Sequence, residues 1–225
     1  MPADLLREPH VAPSILASDF ARLGAQVAEV MDAGARVIHV DVMDGHFVPP
    51  ISIGPTIVDA LNEQVHAAGG WLDVHLMIER PERTIADYAS AGADAISFHA
   101  EATPHLHYTL GAVREAGCKA GLALNPGTHP SVVEPLVGAF DLVVCMTVNP
   151  GWGGQAYIAG SEAKVATLRG AIGDAALEVD GGIGPETAAT TAAAGASLFV
   201  AGSSIFGAPD PGAAYRTIAA AAGAS

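Results

Sequence analysis

The segment His39-Val40-Asp41-Val42-Met43-Asp44-Gly45 is an apolar strand-like run that carries polar groups on one face. Strand side chains alternate, so His39, Asp41 and Met43 share one side while Ile38, Val40 and Val42 share the other. A histidine and a carboxylate on a buried strand are costly unless something pairs with them, and a metal ion or a reaction is the usual reason. Asp73-Val74-His75-Leu76-Met77 repeats the polar-x-polar-x-Met pattern, and Asp180 ends a third apolar run. Together His39, Asp41, His75 and Asp180 suit one divalent transition metal. Mixed imidazole and carboxylate ligation favours Zn²⁺, Fe²⁺, Mn²⁺ or Co²⁺ over the all-oxygen sites of Mg²⁺ or Ca²⁺. Two opposed carboxylates in an apolar cavity repel each other, and a dication between them removes that conflict. The four residues lie on separate runs, so their meeting depends on the fold.

That fold is legible as a repeat of strand-like and helix-like segments. Eight strands are predicted, at Val11–Leu16, Val37–Val42, Trp71–Met77, Ala95–His99, Ala120–Leu124, Leu142–Met146, Leu177–Val179 and Leu198–Ala201. Alanine-rich amphipathic segments lie between them, with Ser18 expected to cap Asp19–Ala33, Pro81 to open Glu82–Ala91, and Gly184-Pro185 to start Glu186–Ala194. Several end in Ala-Gly, the left-handed stop signal of a helix. Eight β-then-α units predict an α/β fold, a parallel (β/α)₈ TIM barrel. A doubly wound sheet would carry a glycine-rich turn after its first strand, and Ala17-Ser18-Asp19-Phe20 is not one. No linker divides the chain, so residues 1–225 are expected to form one domain with its core over about 11–222.

In such a barrel the active site lies at the C-terminal ends of the strands. Those ends carry Ser14, His39, Asp41, Met43, His75, Met77, His99, Asn125, Met146, Asp180, Gly181, Gly182, Gly202 and Ser203. Glycine turns follow three successive strands: Gly151-Trp152-Gly153-Gly154, Gly181-Gly182 and Gly202-Ser203. Backbone amides in such turns bind anions without a basic side chain. Any one of these glycines is explained equally well by a tight turn; three sets on neighbouring loops favour a phosphate site.

Composition bounds the partners. The 225-residue chain is 50% hydrophobic and 15% charged, with ample material for a core, and its formal net charge is −14. That charge argues against nucleic-acid and anionic-membrane surfaces. No window has the run of about 18 apolar residues that a membrane span needs, and no signal-peptide layout opens the chain. The two cysteines, Cys118 and Cys145, are expected to be buried free thiols, in keeping with a cytoplasmic protein.

At this point the chain resembles ribulose-phosphate 3-epimerases. The motifs are Pro13-Ser14-Ile15-Leu16, the run from His39 to Pro49, Val74-His75-Leu76-Met77, Asn125-Pro126-Gly127-Thr128, the run from Val148 to Gln155, and Val179-Asp180-Gly181-Gly182-Ile183. They occur in order from about Val11 to Phe206. The resemblance implies a (β/α)₈ barrel interconverting D-ribulose 5-phosphate and D-xylulose 5-phosphate. It implies a metal on His39, Asp41, His75 and Asp180, with Asp41 and Asp180 as the acid/base pair. It further implies substrate contacts from Ser14, His75, Gly151, Trp152, Gly153, Gly154, Asp180, Gly181, Gly182, Gly202 and Ser203. Two departures stand out: Trp152 where phenylalanine is usual, and Pro50 in place of the common asparagine.

The residues suit that reaction. Inverting a carbon next to a carbonyl needs two acid/base groups on opposite faces of a nearly planar enediolate. Met43, Met77 and Met146 are expected to form a soft, water-excluding layer beside it, although plain core filling accounts for them as well. A Schiff-base aldolase would need a lysine at a strand's C-terminal end, and the two lysines, Lys119 and Lys164, are misplaced for that. The remaining competitors are a 3-epimerase of a six-carbon ketose phosphate such as D-allulose 6-phosphate and a non-catalytic sugar-phosphate-binding barrel. Alanine-rich outer helices allow subunits to pack closely, and a homo-oligomer is expected. Asp44 is predicted to cap the Gly45 turn and Asp73 to be hydrogen-bonded below the site. His46, His66, His105, His107 and His129 are expected on loops or helix surfaces, and His99 is left open.

Overall fold

The computed structural model describes Leu6 and residues 8–224. Eight parallel strands form one sheet: β1 His10–Pro13, β2 Val37–Met43, β3 Trp71–Met77, β4 Ala95–His99, β5 Lys119–Leu124, β6 Leu142–Met146, β7 Ala176–Asp180 and β8 Leu198–Ala201. Their order is β1-β8-β7-β6-β5-β4-β3-β2, and a bridge between Ser14 and His39 brings β1 back to β2. The result is a nearly closed (β/α)₈ barrel.

Alternation along the strands builds two apolar layers. Ile38, Val40, Leu72, Val74, Phe98, Leu122, Val143, Val179 and Phe199 pack outward against the helices. Ala12, Val37, Trp71, Ala95, Ala123, Leu142, Val144, Leu198 and Val200 fill the barrel inside. Small and branched residues here let opposing strands approach without leaving a pore. Gly121 of β5 shows how tight the lumen is, because a Cβ there would lie 2.5 Å from Ser97 Cβ.

The helices are α1 Leu23–Asp32, α2 Pro55–Ala67, α3 Ile85–Ser90, α4 Leu106–Glu115, α5 Ser161–Ala171, α6 Pro185–Ala193, α7 Ser203–Phe206 and α8 Pro211–Ala222. Three expectations change. Strand β1 stops at Pro13, and Ile15–Ala17 forms a 3₁₀ turn. The first helix starts at Leu23 behind a second 3₁₀ turn, Phe20–Arg22, which Asp19 rather than Ser18 caps through the Ala21 N–H. The helix expected over Glu82–Ala91 is instead a 3₁₀ turn, Pro81–Arg83, followed by α3 at Ile85–Ser90.

Candidate metal centre and active site

The same alternation that fills the lumen with small apolar groups near its base places polar ones near its mouth. His39 and Asp41 on β2, Asp73 and His75 on β3, Ser97 and His99 on β4, and Glu178 and Asp180 on β7 are all buried. Asp180 retains 9% exposure and Asp41 5%, while His39, His75, His99 and Glu178 have none. So many polar groups in a low-dielectric interior must satisfy one another or a ligand.

Four of them converge. Nε2 of His39 lies 3.3 Å from Oδ1 of Asp41, and Nδ1 of His75 lies 3.4 Å from both Oδ1 of Asp41 and Oδ2 of Asp180. One donor atom from each residue falls within 4.8 Å of all the others. Neither of those two ring nitrogens has a hydrogen-bond partner. Donors about 2.1 Å from a tetrahedral ion stand about 3.4 Å apart, which is the spacing of the three pairs just given. The cluster is able to bind a metal ion.

Electrostatics points the same way. Burial alone would lower the pKa of His39, but the Asp41 and Asp73 carboxylates outweigh it and push the imidazole well above its ordinary range. Burial is likewise overcome at His75, which Asp180 and Asp41 push upward. At Asp41 burial favours the neutral acid, yet His39 and His75 hold the carboxyl well below the usual range. The surrounding carboxylates therefore favour positive charge at the two imidazoles. A dication among these four residues would supply that positive charge with both rings neutral.

A second ring of contacts holds the imidazoles. Nδ1 of His39 is 2.7 Å from Oδ2 of Asp73 and 3.6 Å from Glu178 Oε1. Nε2 of His75 is 2.8 Å from Nε2 of His99, whose Nδ1 is 3.4 Å from Glu101 Oε2. Burial, with the nearby Asp73 charge, raises the Glu178 carboxyl far above its normal value. Asp73 is thus hydrogen-bonded beneath the cluster. His99 stands behind His75, away from the cleft. Glu178 was missed in the sequence, although Glu178-Val179-Asp180 has the polar-x-polar alternation already noted on two other strands, and Glu101, which follows the fourth strand, was given no role there.

Above the carboxylates opens a cleft. Ser14, Asp41 and Asp180 stand on its floor beside Met43, Met77 and Met146. Gly151, Trp152, Gly153 and Gly154 form one wall, and Gly181, Gly182, Gly202 and Ser203 form another. His39 and His75 are absent from the lining and lie beneath it. Trp152 is 55% exposed at the rim. Gly182 has φ +67°, and a Cβ there would lie 2.5 Å from the Tyr157 backbone nitrogen, so the close approach of these loops requires glycine. At the entrance, Asp44 accepts from the N–H groups of His46, Phe47 and Glu79, and the Pro50 carbonyl accepts from Gly45. His46, His66, His105, His107 and His129 are exposed, as expected.

Residues 10–206 match the model of the "Ribulose-phosphate 3 epimerase family". The chain belongs to this family. The match runs from the start of β1 to the end of α7, so it takes in every strand and every residue of the cluster. Ribulose-phosphate 3-epimerase of Bacillus subtilis (strain 168) is 50% identical over 205 residues, 89% of this chain and 93% of that protein. The Escherichia coli (strain K12) epimerase is 46% identical over 209 residues, covering 91% and 92%. The chloroplastic ribulose-5-phosphate-3-epimerase of Arabidopsis thaliana is 47% identical over 216 residues, covering 93% and 76%. Family members of this name are isomerases acting on carbohydrates. More distant solved structures share the fold alone: KGPDC from Streptococcus mutans has a TM-score of 0.74 at 16% identity, covering 96% of this chain and 98% of that one. The 3-hexulose-6-phosphate synthase of Salmonella typhimurium has a TM-score of 0.72 at 17% identity, covering 95% and 98%. Among the described residues no helix is long and apolar enough to cross a membrane.

Proposed function

We propose that this chain interconverts D-ribulose 5-phosphate and D-xylulose 5-phosphate, with Asp41 and Asp180 exchanging the C3 proton. The observation that carries this is the placement of two carboxylates, from β2 and β7, at 3.4 Å from one His75 nitrogen and on the floor of one cleft. One removes the proton from C3 and the other returns a proton to the opposite face, leaving a planar enediolate between the two steps. Identical residue types suit a reaction run in both directions.

The residues fit a divalent ion held by His39, Asp41, His75 and Asp180, and Zn²⁺, Fe²⁺, Mn²⁺ and Co²⁺ all suit these donors. When bound, such an ion supplies Lewis-acid polarisation at the C2 oxygen. Ser14 orients Asp41 and reaches the substrate hydroxyls. Met43, Met77 and Met146 cover the enediolate and exclude water. The phosphate sits on backbone amides of Gly181, Gly182, Gly202 and Ser203, with Gly151, Trp152, Gly153 and Gly154 closing over it. Amide recognition accounts for anion binding by a chain of net charge −14. The whole chain acts as one barrel in the cytoplasm, and its alanine-rich outer helices support a homo-oligomer.

The experiment is conversion of D-ribulose 5-phosphate by purified protein, before and after chelator treatment. Turnover that is lost on chelation and restored by one of the four ions supports the reading. Absence of turnover with every ion overturns it and directs the assay to six-carbon ketose phosphates.

A further inference from the structure

His75 and His99 meet through their Nε2 atoms at 2.8 Å, and both rings are completely buried. Unbonded heavy atoms stay about 3.5 Å apart, so this separation requires one nitrogen to donate and the other to accept. For two neutral rings, the state in which His75 can ligate a metal ion, only two arrangements exist. In the first, His75 donates from Nε2, its Nδ1 is bare, and His99 carries its proton on Nδ1. In the second, every proton moves to the other nitrogen, and His75 directs an N–H at Asp41 and Asp180.

The group beyond His99 distinguishes them. Nδ1 of His99 is 3.4 Å from Oε2 of Glu101. In the first arrangement an N–H faces that carboxylate; in the second a lone pair does, which is repulsive. The first also turns the His75 Nδ1 lone pair toward Asp41 and Asp180 at 3.4 Å, a repulsion that a dication held among them removes. Glu101 is held against turning away, because its Oε1 accepts from the Asn125 backbone N–H at 3.0 Å and from the Thr128 hydroxyl. The Phe47 ring packs against the His99 ring with centroids 4.8 Å apart. His39 differs, since Asp73 binds its Nδ1 directly and leaves Nε2 toward the cluster.

We propose that Glu101 and His99 are positioning residues that fix the proton of His75 on Nε2 and so present its Nδ1 lone pair to a metal ion. This rests on reading His39, Asp41, His75 and Asp180 as a metal centre. Each histidine ligand then has its tautomer set by a carboxylate, directly for His39 and through a second imidazole for His75. Carboxylate partners of this kind raise metal affinity by orienting the ligand ring.

Glu101→Gln tests it, because glutamine keeps an oxygen for Asn125 and Thr128 but turns an NH₂ toward His99 and favours the second arrangement. Affinity for Co²⁺ and Zn²⁺, measured by competition with a chromophoric chelator, is expected to fall about 10- to 100-fold. In a His99→Leu background the same substitution is expected to change affinity by less than about twofold, since the path is cut. Unchanged affinity in Glu101→Gln, with wild-type binding intact, overturns the proposal alone. An equal loss in the His99→Leu background also overturns it, because the effect would then travel through the 125–128 loop. Wild-type protein that binds neither ion overturns the metal-centre reading and the proposal with it. Imidazole ¹⁵N NMR of the Zn²⁺-loaded wild type needs no variant to fold: His99 protonated on Nδ1 supports the proposal, and His99 protonated on Nε2 overturns it.

Discussion

The Ser14 hydroxyl donates a 2.5 Å hydrogen bond to Oδ2 of Asp41, at the seam where the end of β1 meets β2. This bond leaves Oδ1 of Asp41 turned toward His39 and His75. Barrel closure and the orientation of Asp41 therefore share one contact. Ser14→Ala should lower kcat about 10- to 100-fold, since a charge-assisted hydrogen bond contributes about 1.5–3 kcal/mol. Steady-state kinetics with D-ribulose 5-phosphate checks this, and wild-type kcat would remove Ser14 from the account.

Gly182→Ala tests the proposed phosphate loop. The new Cβ would sit 2.5 Å from the Tyr157 nitrogen and 2.7 Å from its Cα, at a φ of +67° that alanine resists. The loop must shift, at a cost of about 1–3 kcal/mol in strain. KM for the sugar phosphate is expected to rise at least about tenfold through the same displacement.

Glu101 gives a pH dependence. Burial works to raise its carboxyl, but the facing His99 imidazole and hydrogen bonds from Thr128 and the Asn125 backbone hold it at about 2, against an ordinary 4.5. A depressed carboxylate contributes stability that is fully present above 4.5 and is lost as pH falls toward 2. Acid unfolding should therefore be steeper between those values in the wild type than in Glu101→Gln. Parallel acid-stability curves would contradict it.

Cys118 and Cys145 are buried, and burial pushes both thiols up to about 11. Neither should react with a thiol reagent at pH 8 in the native protein, and both should react once it is unfolded. Rapid native labelling of either would contradict the packing around it.

Sequence periodicity located every strand of the barrel, because parallel strands buried on both faces leave continuous apolar runs. Their ends were less legible. Pro13 stops β1, while Lys119 joins β5 although it is only half-buried. Alternation brought His39, Asp41, His75 and Asp180 to one mouth before any coordinates. Which ring nitrogen faces the cluster was not legible, because it depends on Asp73 and His99 across strand pairs. Asp73 was placed beneath the site from its position two residues before His75. The role of Glu101 lies one loop beyond β4 and depends on a turn at Asn125–Thr128 that periodicity does not encode.

The central claim is that Asp41 and Asp180 exchange the C3 proton from opposite faces. The direct measurement is conversion of D-ribulose 5-phosphate in deuterated water, with C3 of the product read by NMR. The account predicts deuterium at C3 of D-xylulose 5-phosphate, and loss of turnover in Asp41→Asn and Asp180→Asn. Product that retains its original C3 hydrogen, or near-normal turnover in either variant, would contradict it.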